Sequence, residues 1–577
     1  MLNGIIFMAV VSQSTVWMNP IEVWSSPESL AVSRLRVDSM AFELAPSSIS
    51  SALRGAGVPG SFIIHSGVHN LNNIQIRGGS ASGTKVLFNG MELNTPIDPS
   101  FNLWLIPSFF VKNATVDLTA RGSFYGMLEL NSPTPTAKSS HKTVFGTAFY
   151  DFCRRPQIYF GLRGTNRSLS YGIWADVFND LITVKTNSGT SMTPEVAYER
   201  YAGFFTFRNS RITESMLLSK GRRRINLNTV SDLLGSFSVN YRGIIGAQFF
   251  MKRTGYTGGL YEYTWRSSGV KVTTKTFSYK YLHIRPSFSF FEGNVTMGYF
   301  NLVPDVTRLA FEIDNGLTVP INEKAVLSVG APLNAVVDLE RRRFYKPLPY
   351  ASIEFRPLDA LRLRAAYSHV WHLPKFYDLY VSGGNPNLIP EEGDEVETGI
   401  DFNLNSSSKI GAVVYGRWMK QLVEWVQDTI NDTIPVFLPR NTGEAFFKGA
   451  DLYLQHSSGP ISVRLGASLI QAKDKNGNPL PFVANVVSAS FMFREPHGLY
   501  GGLKLEYTSD HRGIDFVRMQ EVDCPGYIWS AVTLGYRVCG DFNVELGVDN
   551  LLDSPAEFKP GYPMPGRSFR FGIDMRL

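Results

Sequence analysis

From about residue 140 onward the chain alternates hydrophobic and polar positions in short runs, the period-2 signature of strands with one apolar face. At the C-terminus Phe569, Phe571, Ile573, Met575 and Leu577 alternate with Ser568, Arg570, Gly572, Asp574 and Arg576. Phe542, Val544, Leu546 and Val548 alternate in the same way with Asn543, Glu545, Gly547 and Asp549, and Leu169, Tyr171, Ile173, Ala175 and Val177 with Ser170, Gly172, Trp174 and Asp176. Charges such as Arg570 and Asp574 are costly in a dry core and easy to place when their face meets a polar lumen. A soluble sandwich also alternates, so the connections decide. Counted back from Leu577, tight links at 539–541, 494–498, 456–460, 405–408 and 357–359 alternate with long ones at 372–393, 427–446, 256–280 and 179–200. Tight turns alternating with loops of about 20 residues are what transmembrane barrels show. The count reaches 22 strands between His141 and Leu577, even as closure requires of a chain that enters and leaves on one side. A secreted repeat-rich β-protein is the competing reading.

Residues 20–135 differ in texture. They hold a helix-like stretch at 47–54, short strands such as 73–76 and 85–88, and many glycines, which predicts a small mixed domain ahead of the sheet. The expected division is therefore 1–19, a residual signal segment; 20–135, a plug; and 136–577, the barrel. The apolar run at 5–11 is seven residues long with no Lys or Arg before Arg34, so the true start is expected upstream.

Composition narrows the class. In 577 residues, 56 Lys+Arg face 50 Asp+Glu, a net charge of +6 that is too dilute to imply nucleic acid. Hydrophobic content of 44% rules out disorder, and no apolar run reaches the ~18 residues of a spanning helix. Three cysteines, Cys153, Cys524 and Cys539, build neither a disulfide framework nor a metal site. Cys524 and Cys539 lie one whole strand apart, too far to bridge; Cys153 and Cys524 share a side, which leaves a bridge between them open.

Several segments in order carry a resemblance. Asn73-Ile-Gln-Ile-Arg-Gly-Gly79, Lys85-Val-Leu-Phe-Asn-Gly-Met-Glu-Leu-Asn94 and Ala120-Arg-Gly-Ser-Phe-Tyr-Gly126 precede the barrel. Within it follow Gly384-Asn-Pro-Asn-Leu-Ile-Pro-Glu391 before Val396-Glu-Thr-Gly-Ile400, then Asn441-Thr-Gly443 with Lys448-Gly-Ala-Asp-Leu452, then Val548-Asp-Asn-Leu-Leu-Asp553 and Tyr562-Pro-Met-Pro-Gly-Arg567. Together they resemble the TonB-dependent outer-membrane receptors over nearly the whole chain. The departures are Leu577 where the family ends in Phe, Asn89 for Asp, Ser123 for Pro, and Trp371-His-Leu-Pro374. The resemblance implies an all-β membrane protein, a 22-stranded antiparallel transmembrane β-barrel with a small N-terminal α+β plug in the lumen.

It further implies that Arg77 and Arg121 of the plug pair with barrel carboxylates at Glu397 and Asp451. An inward carboxylate in a confined lumen is expensive alone and tolerable beside a guanidinium. The extended-reading segment Pro20-Ile-Glu-Val-Trp-Ser-Ser26 resembles a TonB box, with Ile21, Glu22, Val23, Trp24 and Ser25 pairing as a strand with TonB. Arg154-Arg155, Arg222, Arg223, Arg224, and Arg341, Arg342, Arg343 all fall on the long-loop side, suited to lipopolysaccharide phosphates or to an anionic ligand such as a metal chelate. His369 and His372 flank the rise into the loop before Gly384 and are further ligand candidates. The expected function is active uptake of a scarce nutrient of the ferric siderophore, cobalamin or haem class, in the cell outer membrane; the alternative is a non-transporting surface receptor or adhesin on the same scaffold.

No catalytic constellation, metal site or cofactor is expected. Gly55-Ala-Gly-Val-Pro-Gly60 matches a dinucleotide fingerprint, but a helix rather than a strand precedes it, so a plug loop is expected. Asp474-Lys-Asn-Gly-Asn478 begins like a calcium loop, but Pro479 takes the glycine position, and a turn is expected. H-E-x-x-H and G-x-S-x-G are absent.

Overall fold

The computed structural model describes residues 34–576 apart from short interruptions, among them 67–70, 96–99, 121–123, 151–155, 186–190, 339–341 and 516–519. The alternating runs form a closed barrel of 22 antiparallel strands. It begins with Ser140–Tyr150 and ends with Ser568–Arg576, and these two pair with each other, Phe569 opposite Phe149 and Arg576 opposite Lys142. Closure leaves no edge strand with unpaired backbone groups, which is what a sheet in hydrocarbon requires.

The two faces sort as the alternation dictates. On the outside Ile173, Leu218, Phe249, Val414, Leu452, Leu465 and Phe569 are exposed and form an apolar band. On the inside the neighbouring positions Arg200, Glu397, Asp451, Arg417 and Arg570 are buried. Trp174, one residue from exposed Ile173, turns inward and meets the plug at Phe109, ring centroids 5.8 Å apart.

One end carries tight turns, such as 406–407 between Glu391–Asn405 and Ser408–Lys420 and 459–460 between Ala445–Ser458 and Ile461–Asp474. The other carries loops at 373–390, 421–444, 475–485, 509–526 and 550–567. The expected long link at 256–280 is corrected. Residues 259–260 join Ile245–Gly258 directly to Tyr261–Thr274, which pair from Gly258↔Tyr261 onward. The reason is chemical: the outward positions Glu262, Thr264, Arg266 and Ser268 carry no apolar alternation, because this part of the strand continues past the apolar band. Strands here run long, to 23 residues in Phe300–Asn322, and the links at 298–299 and 339–341 are as short as those at the opposite end.

Residues 34–131 fold inside. Arg34–Val37, Asn113–Asp117, Gly126–Asn131, Thr84–Phe88 and Met91–Glu92 make a five-stranded mixed sheet in that order, with Thr84–Phe88 and Gly126–Asn131 parallel. Ser61–Ser66 pairs with Leu71–Ile76 as a separate hairpin, and short helices span Ser39–Glu43 and Ile49–Leu53, the second capped by Ser48 accepting from the Ser51 amide at 3.2 Å. The Asn89-Gly90 turn has φ of 50° and 78°, conformations those two residues tolerate best. Plug and wall share one apolar core on one side: Phe101, Leu103, Trp104, Leu105, Phe109 and Phe110 pack against Tyr159, Trp174, Phe178, Tyr198, Phe204, Leu217 and Leu234. Each such side chain contributes about 1.5–3 kcal/mol by leaving water.

Candidate functional site

Across the lumen from that core, the plug meets the wall through charge. Strand Leu71–Ile76 ends in a turn in which Arg77 and Gly78 both take the left-handed conformation, φ 48° and 68°, and the Arg77 amide bonds back to the Gly60 carbonyl at 2.8 Å. The turn aims the Arg77 side chain at three inward residues of two strands. Its Nη1 lies 2.6 Å from Glu397 Oε2 and 3.3 Å from Glu395 Oε1, and its Nε 3.0 Å from Asp451 Oδ2. The guanidinium also sits 4.2 Å over the Tyr415 ring. All three pairs are at most 1% exposed. Arg417 closes the group, its Nε 2.7 Å from Glu395 Oε2 and its guanidinium 4.7 Å over the plug's Tyr125.

Among the described residues two cations thus face three carboxylates, and neutral donors add to them. Thr119 Oγ1 donates to Glu397 at 2.8 Å, the Ala120 amide to Glu395 at 3.2 Å, and Ser468 Oγ to Asp451 at 2.8 Å. Burial alone would lower the Arg77 pKa; Glu397, Asp451 and Glu395 reverse that and raise it, so the plug guanidinium is fixed as a cation. Tyr125 adds a neutral contact, its hydroxyl donating to Glu391 at 2.7 Å.

Residues 56–60 of the glycine fingerprint lie in this contact and nowhere near a nucleotide fold. Gly57 (φ 67°) and Gly60 (φ 72°) run against the wall, where a Cβ on Gly57 would come within 2.8 Å of Arg464 Cβ and one on Gly60 within 2.9 Å of Asp451 Oδ2. Three further charged contacts hold the plug to the wall. Glu92 meets Lys271 at 2.8 Å and Lys85 at 3.3 Å; burial pushes its carboxyl up, and the two ammonium groups more than reverse this, to about 2. Glu43 is held by Arg494, and Arg54 meets Glu506 at 2.9 Å.

The other candidate residues scatter. Residues 21–25, Arg121, Arg154, Arg155 and Arg341 lie outside the described residues, as does the Arg342 side chain. The 222–224 triplet is split by the strand that carries it. Arg223 faces the lumen, 2.6 Å from Asp232 and over Trp104 at 5.3 Å, whereas Arg222 is exposed on the outer wall and Arg224 pairs there with Glu195 at 2.5 Å. Arg343 is exposed near the long-loop end. His369 and His372 do not act together: His372 lies near the plug's Tyr125, ring centroids 5.8 Å apart, while His369 faces outward with Tyr367, both bonding Asp394, at 2.9 and 2.7 Å. An odd number of residues separates opposite faces of a strand, which is why the pair cannot share the lumen. Asp474 closes a turn, accepting from the amides of Asn476 and Asn478 at 2.8 Å each. Cys524 is a buried free thiol; Cys153 lies outside the described residues. Among the described residues no group of three or more His, Cys, Asp or Glu is placed to hold a metal ion.

At the mouth, loop 373–390 folds inward. Its helix Phe376–Tyr380 and Leu388 pack on Val295 and Val306, and Arg308, held by Asp338 at 2.7 Å, lies 4.5 Å from the Phe376 ring. Sequence reasoning missed Glu395, Arg417, Tyr125 and Lys271. Glu395 was legible as a second carboxylate two residues before Glu397, hence on the same face; the others sit on strands with no local signal of what the plug brings to them.

A pore filled by a domain of the same chain, pinned by buried ion pairs, defines a gated receptor barrel. The family descriptions agree: residues 28–131 match the TonB-dependent receptor plug domain and residues 99–551 the TonB-dependent receptor-like β-barrel. The chain belongs to the TonB-dependent receptors. It is 24% identical over 217 residues to the vitamin B12 transporter BtuB of Vibrio cholerae serotype O1, a match covering 37% of this chain and 34% of that relative, so the chain spans about a third of the curated relative's length. The fold is that of the siderophore receptor PirA from Acinetobacter baumannii (TM-score 0.74, 14% identity, covering 95% of this chain and 98% of that one). It is also that of the FrpB iron transporter from Neisseria meningitidis (TM-score 0.74, 11% identity, 95% and 100% covered).

Proposed function

We propose that the chain takes up a scarce nutrient actively across the outer membrane, with loops 373–390, 421–444 and 509–526 facing outward and the turns facing the periplasm. The observation that carries this reading is the plug latch: Arg77 held by Glu397, Asp451 and Glu395 with almost no solvent access. A lumen so filled passes nothing of nutrient size until those pairs part. Parting them at rest is costly because charges left unpaired in a dry site cost several kcal/mol, so energy must be delivered from outside the barrel. TonB, pairing with Ile21–Ser25 as an added strand, is the partner that delivers it. The ligand is a small molecule of the siderophore, cobalamin or haem class; relatives that transport vitamin B12 and that bind siderophores support the class without choosing among its members. Lipopolysaccharide is the expected lipid partner of the outer wall.

The test is growth of an iron- or cobalamin-limited host stripped of its own receptors, with ferric hydroxamate, ferric catecholate, haem or cyanocobalamin supplied singly. Growth on one of them that is lost when residues 21–25 are deleted, and lost on collapse of the proton-motive force, supports uptake. Surface binding of one of these without any TonB-dependent growth overturns it in favour of a non-transporting receptor.

A further inference from the structure

We propose that the outer wall carries a site for the phosphorylated headgroup of an outer-leaflet glycolipid, lipopolysaccharide, built from Lys220, Arg222, Arg253 and Arg266. The proposal rests on the orientation given above, loops outward, and not on transport. Outward positions of the strand Ile212–Ile225 run Met216, Leu218, Lys220, Arg222; those of Ile245–Gly258 run Phe249, Met251, Arg253; those of Tyr261–Thr274 descend from Arg266 to Val270 and Val272. Each strand therefore passes from lipid-facing side chains to a cation within one or two outward steps, toward the loop end.

The register lines these cations up. Lys220 lies opposite Leu233, Leu233 opposite Arg253, and Arg253 opposite Arg266, a single row across four adjacent strands. At about 4.8 Å per strand, Lys220 and Arg253 stand about 10 Å apart and Arg253 and Arg266 about 5 Å apart. Side chains of this length converge on one point from either side. Arg222 stands one outward step above Lys220. Exposed Leu218, Leu233, Phe249 and Met251 lie at or just below the row, where acyl chains pack.

Such a row is unfavourable by itself. Like charges directly opposite on neighbouring strands repel, and a cation facing lipid costs more the deeper it sits, up to about 2–4 kcal/mol at the midplane. Arg224, on the same wall, is neutralised by Glu195. Among the described residues none of Lys220, Arg222, Arg253 and Arg266 has an ion-pair partner, although all four are exposed. A phosphate carried on an acylated sugar answers both needs: its oxygens accept from two guanidinium forks and an ammonium, and its chains cover the leucines and methionine beneath. A soluble anion meets only the first need.

The experiment uses the full chain extracted in mild detergent, with lipid A counted per barrel by mass spectrometry of its hydroxylated acyl chains. The variants are Arg253→Ser/Arg266→Ser, Arg253→Lys/Arg266→Lys, and, as a control at the opposite rim, Arg242→Ser. Heat-modifiable migration reports a closed barrel in each. Retained glycolipid is expected to fall by about threefold or more in the Ser pair, to be partly kept in the Lys pair, and to be unchanged in Arg242→Ser. Delipidated wild type is then warmed with lipid A, with dephosphorylated lipid A, or with inorganic phosphate at matched concentration; only the first should raise its Tm, and the Ser pair should show no rise. Equal glycolipid in the folded Ser pair and wild type overturns the proposal. So does an equal rise with inorganic phosphate, or a protein rather than a glycolipid lost from the Ser pair. Deleting residues 21–25 leaves this wall untouched, so failure of the uptake reading and failure of this one are separate results.

Discussion

Replacing Arg77 by Ala removes the plug's cation from a site where its three carboxylate partners are at most 1% exposed. Arg417 remains and still serves Glu395, and Thr119 and Ser468 still donate to Glu397 and Asp451, but the guanidinium shared by all three carboxylates is gone. Taking one partner from a buried pair costs about 3–5 kcal/mol, most of it the charge left behind. The loss of the ring contact with Tyr415 adds to it. The cost should fall on docking of the plug rather than on the barrel, whose ladders are intact. Amide exchange of Ile74, Ile76 and Gly79 reads it: opening should rise about 10²–10⁴-fold, since each 1.36 kcal/mol is a factor of ten, while amides of Ile400 and Leu452 on the wall stay protected. Arg77→Ala/Glu397→Gln should recover part of the loss, because one of the three carboxylates that shared the guanidinium is neutral, and a double-mutant cycle should return a coupling energy well above about 1 kcal/mol. Exchange in the single variant within about threefold of wild type would refute the view that these ion pairs hold the plug.

Gly60→Ala should loosen the same contact by a different route, since φ 72° strains any L side chain and the new methyl would press on Asp451 Oδ2 at 2.9 Å; a loss of about 1–3 kcal/mol in plug stability, read by urea titration of plug exchange, checks it. Acid should release the plug at Glu43, whose carboxyl burial pushes up and Lys142 and Arg494 pull down to about 2. Its folded pKa lies below its free value of 4.5, so its contribution is complete above pH 4.5 and is lost as the pH falls toward 2. Glu43→Gln should flatten this part of the curve, and Glu92→Gln should flatten a further part of the same sign, as thermal scans of plug exchange from pH 6 to 2 would show; an unchanged acid limb in the double variant counts against both.

The barrel was legible because its rule is local. One residue up or down a strand decides lipid or lumen, so Phe569 against Arg570 and Ile173 against Trp174 state their faces in the sequence itself. The rule fails where its cause fails: Glu262, Thr264, Arg266 and Ser268 lie past the apolar band, so their strand left no alternating trace and looked like a loop. The latch was legible only in part. Glu397 and Asp451 sit 54 positions apart in the chain, and what makes them one site is register, Val413 bridging Asp451 to the strand whose Val414 faces Thr398. Arg417 and Lys271 have no such clue, since a lone inward cation reads the same whether it meets the plug or water. For the two histidines, nearness in sequence carries no nearness in space: three residues along a strand place His369 and His372 on opposite faces.

The two sides of the plug are held by forces that respond differently to a pull. Trp104, Phe109 and Phe110 against Trp174, Tyr198 and Phe204 form a non-directional apolar contact, which yields gradually as area is uncovered. Arg77 against Glu397 and Asp451 is short-ranged and geometric: displaced by a few ångströms it keeps little of its hydrogen bonding, and water entering the gap weakens what remains. Under a steady load the charged side therefore resists with little movement and then gives way at once, while the aromatic side stays in contact throughout. A plug opened in this way should swing about its aromatic face, and the first free space should appear beside Glu395, Glu397 and Asp451, the first two on the strand into which the inward-folded loop 373–390 leads.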